Sequence, residues 1–554
     1  MKLNRRHALG LIGAGANAVA APAMAADGQG DFRHGVASGD PLADRVIIWT
    51  RVTPKDPAQP LRVDWEVASD PDFRKVVRKG RAEARAERDH TVKVDVTGLK
   101  PGGAYHYRFR TGNAVSPTGR TLTLPGDDAQ DAVLAVVSCS LYPAGYFNAY
   151  DAIARLERVD AVVHLGDYIY EYGAGPADYG MAGAAAMGRT PEPRHELVSL
   201  ADYRTRHAHY RTDPALQAAH ARAPWIVVLD DHETANDAWT GGAENHTPAA
   251  EGDWSARKAA GLRAYSEWLP IREGASLPEG LTRAFPFGKI ANLLMVDTRL
   301  SARDEQQDYA NIPPGADGKP DFARFMARRA EPSRQLLGSR QEQWLEAEMT
   351  RSVQEGCAWQ VLGNQVVMAR VDGPDIRARL TPEQWESLMA GLPAAIRPVV
   401  EQMARLYAMG VPMNLDSWDG YPAARERVYA AMGRARASAV VLAGDSHAFW
   451  ANDLHDATGR LAAVEFGTTS VTSPGWGDAL PGVDIGAVIA EQNRDVVYSD
   501  QGAKGFTLLT LTKQDVVAEL VAVSTITSRD YETRTLRRFR SRRTDEGAGS
   551  LQAV

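Results

Sequence analysis

Alternating hydrophobic and polar positions dominate the first hundred or so residues after the N-terminus. Four segments alternate with a period of two, and turns containing Gly, Pro or Asp separate them: Val46–Thr50, Leu61–Val67, His90–Val96 and Ala104–Phe109. A period of two is typical of strands that bury one face. We therefore predict an all-β domain over residues 31–125. The Leu99–Gly102 turn favours a fibronectin-type sandwich, with a generic small β-domain as the alternative.

From about residue 131 the pattern changes to short apolar runs that alternate with helical stretches. Continuous apolar runs predict strands buried on both faces, and their alternation with helices predicts an α/β domain over residues 131–525. The predicted strands are Ala132–Val137, Ala161–Leu165, Trp225–Leu229, Leu293–Val296, Gln360–Leu362, Ala439–Ala443 and Ala462–Phe466. The predicted helices are Phe147–Arg158, Gln341–Met349 and Ala394–Met409.

Three polar stretches fall outside this pattern. Residues 171–224 and 300–335 are rich in Gly, Pro and Arg, and we predict loops or insertions around a site. Residues 526–554 contain six arginines between positions 534 and 543. We predict a solvated basic helix there, with a lid over the site or an aid to anion capture as the functional alternative.

Residues 1–25 are organised as an export signal. The pair Arg5-Arg6 precedes a weakly apolar run that is too short to span a membrane, and Ala23–Ala25 fits a cleavage site. These features predict a twin-arginine signal peptide and export to the periplasm or the extracellular space. An ordinary secretory signal is the alternative. The twin-arginine route carries folded proteins, so it suits a protein that takes up its metal before export.

Charge and composition narrow the possible functions. With 44% hydrophobic and 24% charged residues the chain is globular, which excludes a collagen, a coiled coil or general disorder. The net charge is -7, and the signal region holds three cations and no acid, so the remainder is more acidic still. Specific nucleic-acid binding and general attraction to anionic membranes are therefore not expected. Any bound phosphate must be attracted locally, by metal ions or by a few basic groups.

Residues that bind cations or transfer protons follow four of the apolar runs: Ser138–Ser140, Gly166–Tyr170, Asp230–Glu233 and Gly444–His447. Ligands in open α/β sheets bind at the carboxyl ends of strands, so we expect the four segments to meet. One such segment alone would indicate a turn with a satisfied core histidine, or aromatic rings packed on a sheet. Four in series predict a bimetallic hydrolase centre.

The residue types indicate which ions such a centre prefers. Asp167 ends a strand and can bridge two cations, and Tyr170 is close enough in sequence to reach the same ion. The thiolate of Cys139 is a soft ligand that favours transition metals, and a phenolate requires a strongly acidic ion such as Fe³⁺. Asp445 and His447 can each serve one ion.

In the third segment, Asp230–Glu233, one residue is predicted to bind metal and another to contact the substrate. Asp231 is a predicted ligand of the second ion, and His232 is the predicted catalytic residue, as an acid for the leaving oxygen or a stabiliser of the phosphoryl group. Asp230 and Glu233 are predicted to orient the ligands. Cys357 is the second of two cysteines. We predict a small buried hydrophobe there, with a disulfide to Cys139 as the alternative.

The order Cys…Gly-Asp-x-x-Tyr…Asp-His-Glu…Gly-Asp-x-His resembles the calcineurin-like metallophosphatase pattern, with the substitutions of PhoD-type alkaline phosphatases. The general pattern has Asp in place of Cys139, Asn in place of Asp231 and His in place of Asp445. The similarity spans about residues 31–525 and includes the twin-arginine signal. Further motifs that carry it are His34–Pro41, Trp49–Arg51, Val296–Arg299, Leu337–Leu345, Gly363–Gln365, Trp418–Pro422 and Thr472–Gly475.

The resemblance implies a fold and a metal centre. The fold would be an α/β calcineurin-like metallophosphatase core, a β-sheet sandwich flanked by helices, preceded by the small all-β domain. A terminal helix would cover the site. Fe³⁺ would be held by Cys139, Asp167, Tyr170 and His447, and Ca²⁺ by Asp167, Asp231 and Asp445. The general pattern has a further histidine where this chain has Gly363–Gln365, and the amide oxygen of Asn364 would suit Ca²⁺ there.

The resemblance also implies release of inorganic phosphate from phosphomonoesters, and often hydrolysis of phosphodiesters. We therefore expect a secreted alkaline phosphatase/phosphodiesterase that uses a metal-activated water at a Fe/Ca centre. One alternative is a phospholipase D-like phosphodiesterase on the same scaffold, which an apolar surface beside the pocket would favour. The other is a non-catalytic surface-binding module with a degenerate core, although degeneration would have removed ligands that are present.

Overall fold

The computed structural model describes residues 30–273, 277–392, 394, 396–480 and 482–554, so the predicted signal peptide lies outside the described residues. The N-terminal region consists of short strands. They are β1 Gly30–Asp31, β2 Val36–Gly39, β3 Arg45–Arg51, β4 Thr53–Pro54, β5 Leu61–Ala68, β6 Val76–Ala84, β7 Thr91–Thr97, β8 Ala104–Thr111, β9 Ala114–Val115 and β10 Gly119–Leu122.

The prediction of an N-terminal all-β domain is confirmed. Strands β5, β6, β8, β9 and β10 form one antiparallel sheet. Its apolar side chains, such as Val63 and Phe109, pack against those of β2 and β3, such as Val36 and Ile48. The two layers form a sandwich. Its second layer is not separate from the rest of the chain, because Gly39 of β2 pairs with Trp225 of the α/β region.

The α/β region supplies the remaining elements. Its strands are β11 Asp131–Val137, β12 Ala161–His164, β13 Trp225–Val227, β14 Arg283–Phe287, β15 Ala291–Met295, β16 Trp359–Gly363, β17 Ala439–Ala443, β18 Phe449–His455, β19 Leu461–Gly467, β20 Val496–Asp500, β21 Lys504–Thr512, β22 Asp515–Val523, β23 Thr533–Thr544, β24 Gly547–Ala548 and β25 Gln552–Ala553. Its helices are α1 Asn148–Ala154, α2 Ala184–Met187, α3 Leu200–Tyr210, α4 Pro214–Arg222, α5 Pro248–Glu251, α6 Trp254–Trp268, α7 Phe322–Arg329, α8 Gly338–Gln354, α9 Ile376–Arg379, α10 Pro382–Gly391, α11 Arg397–Tyr407, α12 Pro422–Ala435, α13 Trp476–Ala479 and α14 Ile485–Gln492.

Two mixed sheets form the α/β core. The first has the order β24-β23-β22-β21-β11-β12-β13-β2-β3-β7, and the second has the order β14-β15-β16-β17-β19-β18-β20. One apolar core receives side chains from both, including Val136 and Val163 of the first sheet and Val440 and Val464 of the second. Helices α8 and α12 pack on the other face of the second sheet. The predicted α/β sandwich flanked by helices is therefore confirmed.

Parallel pairing places the carboxyl ends of the central strands together. Strands β11, β12 and β13 run parallel, and so do β15, β16, β17 and β19. The chain after β19 ties the two sheets to each other. There Thr468 Oγ1 donates to the Val136 carbonyl at 2.9 Å, and the Val471 amide donates to the Ser138 carbonyl at 3.0 Å. The residues that follow these strands consequently face one another.

The two polar stretches predicted as loops or insertions contain helices. Residues 171–224 include α2, α3 and α4, and residues 300–335 include α7, so irregular loops are wrong there and the alternative of insertions stays a prediction. The sequence signals for α3 and α4 were the capping residues at their N-termini. Ser199 and Asp202 form a reciprocal capping box at the start of α3, and the Asp213 side chain caps α4. Periodicity alone missed them because both helices carry many polar residues.

The arginine-rich tail is the strand β23, so the prediction of a basic helix is wrong. β23 pairs with β22 along its length, and Phe539 and Ser541 are buried while Arg538 and Arg542 are exposed. This alternation is typical of a strand that buries one face. No part of β23 lines the cavity of the candidate site below. None of the helices in the described part of the chain combines the length and hydrophobicity that a bilayer-crossing segment needs.

Candidate metal centre

The four polar segments converge at the carboxyl ends of β11, β12, β13 and β17. Three groups of possible ligand atoms lie there, and the atoms of each group lie within 4.8 Å of one another. The groups are Cys139, Asp167 and His447; Asp167, Asp231 and His232; and Asp230, Asp231 and Asp445. Because Asp167 and Asp231 each belong to two groups, the three groups form one continuous site.

The backbone at this site adopts a conformation that side chains normally avoid. Cys139, Asp167, Asp445 and His447 have φ angles of 59°, 56°, 59° and 56°. A left-handed conformation costs a non-glycine residue roughly 1–3 kcal/mol, so the surrounding structure must hold it in place. Part of that support is direct, because the Cys139 amide donates to the Gly166 carbonyl at 3.2 Å.

Gly166 lets the ends of β12 and β13 approach closely. Its φ is 110°, and a Cβ at this position would overlap with the backbone of Asp230. We expect Gly166→Ala to separate the two strand ends, to lower the melting temperature by several degrees and to reduce hydrolysis more than tenfold. Gly188→Ala is the matched control, since Gly188 has φ 67° but open space around it. Equal losses of activity in both variants would contradict this explanation.

One end of the site combines sulfur, phenol, imidazole and carboxylate. The Tyr170 hydroxyl donates to Asp167 Oδ2 at 3.0 Å and lies 3.4 Å from His447 Nε2. His447 Nδ1 lies 2.7 Å from the Pro474 carbonyl. That oxygen can only accept, so Nδ1 carries the proton and Nε2 is left for the site. Cys139 is fully buried beside them.

The electrostatics of these groups match a bound cation. Burial raises the pKa of Cys139 and of Tyr170 well above their ordinary values, and the Asp167 carboxylate raises both further. Burial also raises the pKa of Asp167 and lowers that of His447 to about 3. Asp167 Oδ1 is buried without a hydrogen-bond partner. A cation would satisfy that oxygen and reverse the shifts, and this donor set fits a transition metal.

The other end of the site is acidic and surrounds a buried arginine. Arg299 forms ion pairs with Asp230, with Asp416 at 2.7 Å, with Asp445 at 3.1 Å and with Asp231 at 3.6 Å. Burial raises the pKa of Asp445 to about 7 despite this arginine. Burial also opposes ionisation of Asp231, but Arg299 and His232 outweigh it and lower the pKa of Asp231 to about 2.

Arg299 and Asp416 were missed as site residues by sequence reasoning. Arg299 belongs to a motif that the sequence identifies only as shared with the family. Its position four residues after β15, a parallel strand of the same sheet as β17, was the available signal. Asp416 follows no strand, and no sequence signal marks it.

His232 is hydrogen-bonded to Glu171. Its Nδ1 lies 2.7 Å from Glu171 Oε2, and its ring centroid lies 4.1 Å from that of Tyr170. Burial lowers the pKa of His232, but Glu171, Asp231 and Asp167 together hold it well above the ordinary value. Nδ1 therefore donates to Glu171, and His232 lines the cavity. Sequence reasoning missed Glu171, although it directly follows Tyr170.

Glu233 lies where an orienting residue is expected. Its Oε2 accepts from the Asp167 amide at 3.1 Å and from the Asp230 amide at 2.7 Å. Its Oε1 accepts from the Tyr168 amide at 2.5 Å. One carboxylate thus joins the ends of β12 and β13 and positions the two aspartates at their tips.

Asn364 is the predicted ligand that lies apart from the others. Its Oδ1 accepts from Trp418 Nε1 at 3.0 Å, and its Nδ2 donates to the Val366 carbonyl at 2.5 Å. It does not line the cavity that Asp167, Asp231 and His447 line. Its role as a Ca²⁺ ligand stays a prediction. Cys139 and Cys357 are both free and buried, so the alternative of a disulfide is wrong.

An open cavity of about 360 Å³ gives access to these groups. Its walls hold carboxylates, the imidazole rings of His447 and His232, and the indole of Trp476. The size suits a phosphoryl group with part of its ester substituent. The arrangement can hold cations through anionic donors and can present one acidic N–H to a bound anion.

Comparisons with known proteins agree with this geometry. The profile of PhoD-like phosphatases matches residues 134–520, and that of the PhoD-like phosphatase N-terminal domain matches residues 18–125. Alkaline phosphatase D of Bacillus subtilis (strain 168) is 37% identical over 501 residues, which cover 87% of this chain and 76% of that protein. A solved structure described as that of PhoD aligns with a TM-score of 0.75 and 34% identity, over 96% of this chain and 93% of that one. The chain therefore belongs to the PhoD-like phosphatase family and is a phosphoric ester hydrolase, an alkaline phosphatase of the PhoD type.

Proposed function

We propose that this phosphatase is exported and hydrolyses phosphomonoesters and phosphodiesters at a mixed Fe³⁺/Ca²⁺ centre. The observation that carries the proposal is the convergence of Cys139, Tyr170 and His447 on Asp167, whose Oδ1 is buried without a partner. A thiolate and a phenolate on one ion favour Fe³⁺. Asp231 and Asp445 supply only oxygen donors beside it, which suits Ca²⁺.

Two overlapping sets of residues would hold the two kinds of ion. Cys139, Asp167, Tyr170 and His447 would hold iron, and Asp167, Asp231 and Asp445 would hold calcium. Bound there, the cations supply Lewis-acid polarisation of the phosphoryl oxygens and activation of a water. Asp167 would belong to both sets of ligands.

His232 moves the proton that the leaving oxygen requires. Its imidazolium lines the cavity and is anchored at Nδ1 by Glu171, so the remaining ring N–H can be donated to the ester oxygen as the bond to phosphorus breaks. Glu171 stabilises the charged ring before transfer and keeps its orientation afterwards. Arg299 offsets part of the negative charge at the acidic end of the site.

The two cysteines provide a matched test of the metal assignment. We expect Cys139→Ser to lose most of the bound iron and the visible absorption that thiolate and phenolate ligation to Fe³⁺ produces. Cys357→Ser should keep both, because Cys357 is equally free and buried but lies against the Gly288 carbonyl, away from the site. Metal analysis and absorption spectra of natively purified protein make the comparison. Equal iron content in the two variants would exclude Cys139 as a ligand.

Removal of calcium is expected to distinguish the role of Ca²⁺ from that of Fe³⁺. A Ca²⁺-selective chelator should lower hydrolysis of an aryl phosphate and of a bis-aryl phosphate by more than about 100-fold, since a Lewis acid contributes several kcal/mol to such reactions. The visible absorption should persist, and Ca²⁺ should restore the rate. Unchanged rates after verified loss of calcium would rule out its participation.

Export is proposed from the arrangement of residues 1–25. The Arg5-Arg6 pair, the short apolar run and Ala23–Ala25 support the twin-arginine machinery as the partner in secretion to the periplasm or beyond. Replacement of both arginines by lysine should leave the full-length protein in the cytoplasm. Continued export of that variant would favour an ordinary secretory signal.

A lipid phosphodiester is the second candidate substrate. Ile396, Val399 and Met409 are exposed on and beside α11, and Val399 lines a cavity that adjoins the metal centre. Such an apolar surface favours contact with a lipid. Rates on phospholipid vesicles, compared with rates on a soluble diester of the same headgroup, would separate the two substrate classes.

A further inference from the structure

A second cavity of about 980 Å³ opens from the cavity of the metal centre. Asp237, Asn414, Asp416 and Trp476 line both. A substrate whose phosphoryl group lies at the metal centre can therefore extend its organic group into the larger cavity. We call this cavity the side cavity. Its volume is at the upper end of the range for small-molecule sites.

The side cavity is strongly acidic. Its lining has six acidic and two basic side chains: Asp237, Glu244, Asp304, Glu305, Asp308 and Asp416 against Arg328 and Arg334. Among the residues that the structure describes, only Asp416 of these acids forms ion pairs, with Arg299 and Arg303. Asp304 and Asp308 accept only backbone N–H groups, from Gln335 and Ala310. The negative charge is therefore largely uncompensated.

Asp237 lies where the two cavities join. Its amide donates to Asp231 Oδ2 at 2.6 Å, and its carbonyl accepts from Gln306 Nε2 at 2.9 Å. Its side chain is half-buried and lines both cavities. With φ at 53° the residue is held in a costly conformation by these backbone contacts. They keep the carboxylate facing the cavities.

Aromatic rings complete the lining of the side cavity. Trp239, Tyr309, Phe325, Tyr407 and Trp476 contribute to its walls. The hydroxyls of Tyr309 and Tyr407 donate to the carbonyls of Pro412 and Met413, which fixes both rings. Aromatic faces attract organic cations, and quaternary ammonium groups in particular. Carboxylates and aromatic rings in one cavity are suited to a positively charged group and unsuited to a second anion.

We infer that the side cavity binds a cationic organic group of the substrate. The preferred substrates are then phosphate esters whose alcohol carries a primary or quaternary ammonium. The inference rests on the proposed function, because the phosphoryl group must occupy the metal centre. It also explains why a site for an anionic ester is bordered by carboxylates. The cationic end of the substrate offsets the repulsion that a purely anionic ester would meet.

Two isosteric substrates test the inference on the metal-loaded enzyme. One is p-nitrophenyl phosphocholine, and the other is p-nitrophenyl 3,3-dimethylbutyl phosphate, in which carbon replaces the ammonium nitrogen. We expect kcat/KM to be at least about tenfold higher for the cationic ester, because cation–π and charge attraction act on the ammonium group and not on its carbon isostere. The ratio should fall as salt is raised, because exposed charges are screened. Equal kcat/KM values at all salt concentrations would overturn the inference.

Matched acid variants connect the preference to the side cavity. Asp308→Asn, alone and combined with Glu305→Gln, should reduce the ratio about threefold to tenfold and raise the rate on the uncharged isostere. Asp317→Asn is the control, since Asp317 also accepts a backbone N–H two residues on but lies outside the side cavity. An identical ratio in the double variant and the parent would overturn the assignment to this cavity.

Direct binding keeps the inference separate from catalysis. Calorimetry with phosphocholine and with 3,3-dimethylbutyl phosphate should show tighter binding of the cationic compound, and the double variant should lose that difference. If neither ester is hydrolysed but the difference in binding persists, the proposed function fails and the inference stands. If both esters are hydrolysed and bind equally, the inference fails and the proposed function stands.

Discussion

Asp167→Asn is expected to lower kcat on phosphate esters by about a thousandfold or more. Asp167 belongs to two of the three ligand groups, so its loss disturbs both predicted ions at once. Metal ions contribute several kcal/mol to such reactions, and each 1.36 kcal/mol corresponds to a factor of ten. Asn keeps the shape of the side chain and an oxygen that can accept from Tyr170, so the variant should fold. Single-turnover rates and metal content measure the effect.

The stability of the same variant distinguishes loss of metal from misfolding. Burial disfavours the ionised form of Asp167 in the metal-free protein and thereby raises its pKa. The neutral Asn should therefore leave the metal-free melting temperature unchanged or higher, while the stabilisation that added metal gives the parent should largely disappear. Asp317→Asn, an exposed change, serves as the control for both measurements. A metal-loaded Asp167→Asn protein with more than a tenth of the parental rate would contradict a bridging role.

His232→Asn is expected to have an effect that depends on the leaving group. General acid catalysis contributes about 10²–10⁴-fold, and it matters most when the leaving oxygen is strongly basic. The variant should thus lose about 10²–10⁴ in kcat on an alkyl phosphate, but only a few-fold on a nitrophenyl phosphate. Rates on a series of esters that differ in the pKa of the alcohol measure this dependence.

Glu171→Gln tests the positioning of His232. The amide can still accept from Nδ1 but no longer carries the charge that stabilises the imidazolium, so we expect roughly a tenfold loss with the same leaving-group dependence. His195→Asn is the matched control, because His195 also pairs with an acid, Asp202 at 3.0 Å, but is exposed at the surface. A loss in His232→Asn that is equal for all esters would indicate a structural role instead of proton transfer.

Local pattern predicted most of the elements that carry the site. The apolar runs before Cys139, Asp167 and Asp445 are indeed β11, β12 and β17, because short apolar runs rich in β-branched residues favour strands buried on both faces. The same method failed for α3 and for β23. Their arginines and histidines obscure the apolar periodicity, and their conformations depend on capping and on pairing with β22.

The sequence by itself determined which side chains stand at the strand ends, since a residue that follows a buried strand must leave at the edge of the sheet. It therefore predicted Cys139, Asp167 and Asp445 as candidates before their neighbours were known. Only the tertiary structure decided that Arg299 lies among four aspartates and that Glu171 anchors His232. It also placed Asn364 under Trp418 and joined an acidic aromatic cavity to the centre. The physical reason is that these contacts connect segments far apart in the chain, and their distances follow from how the two sheets pack.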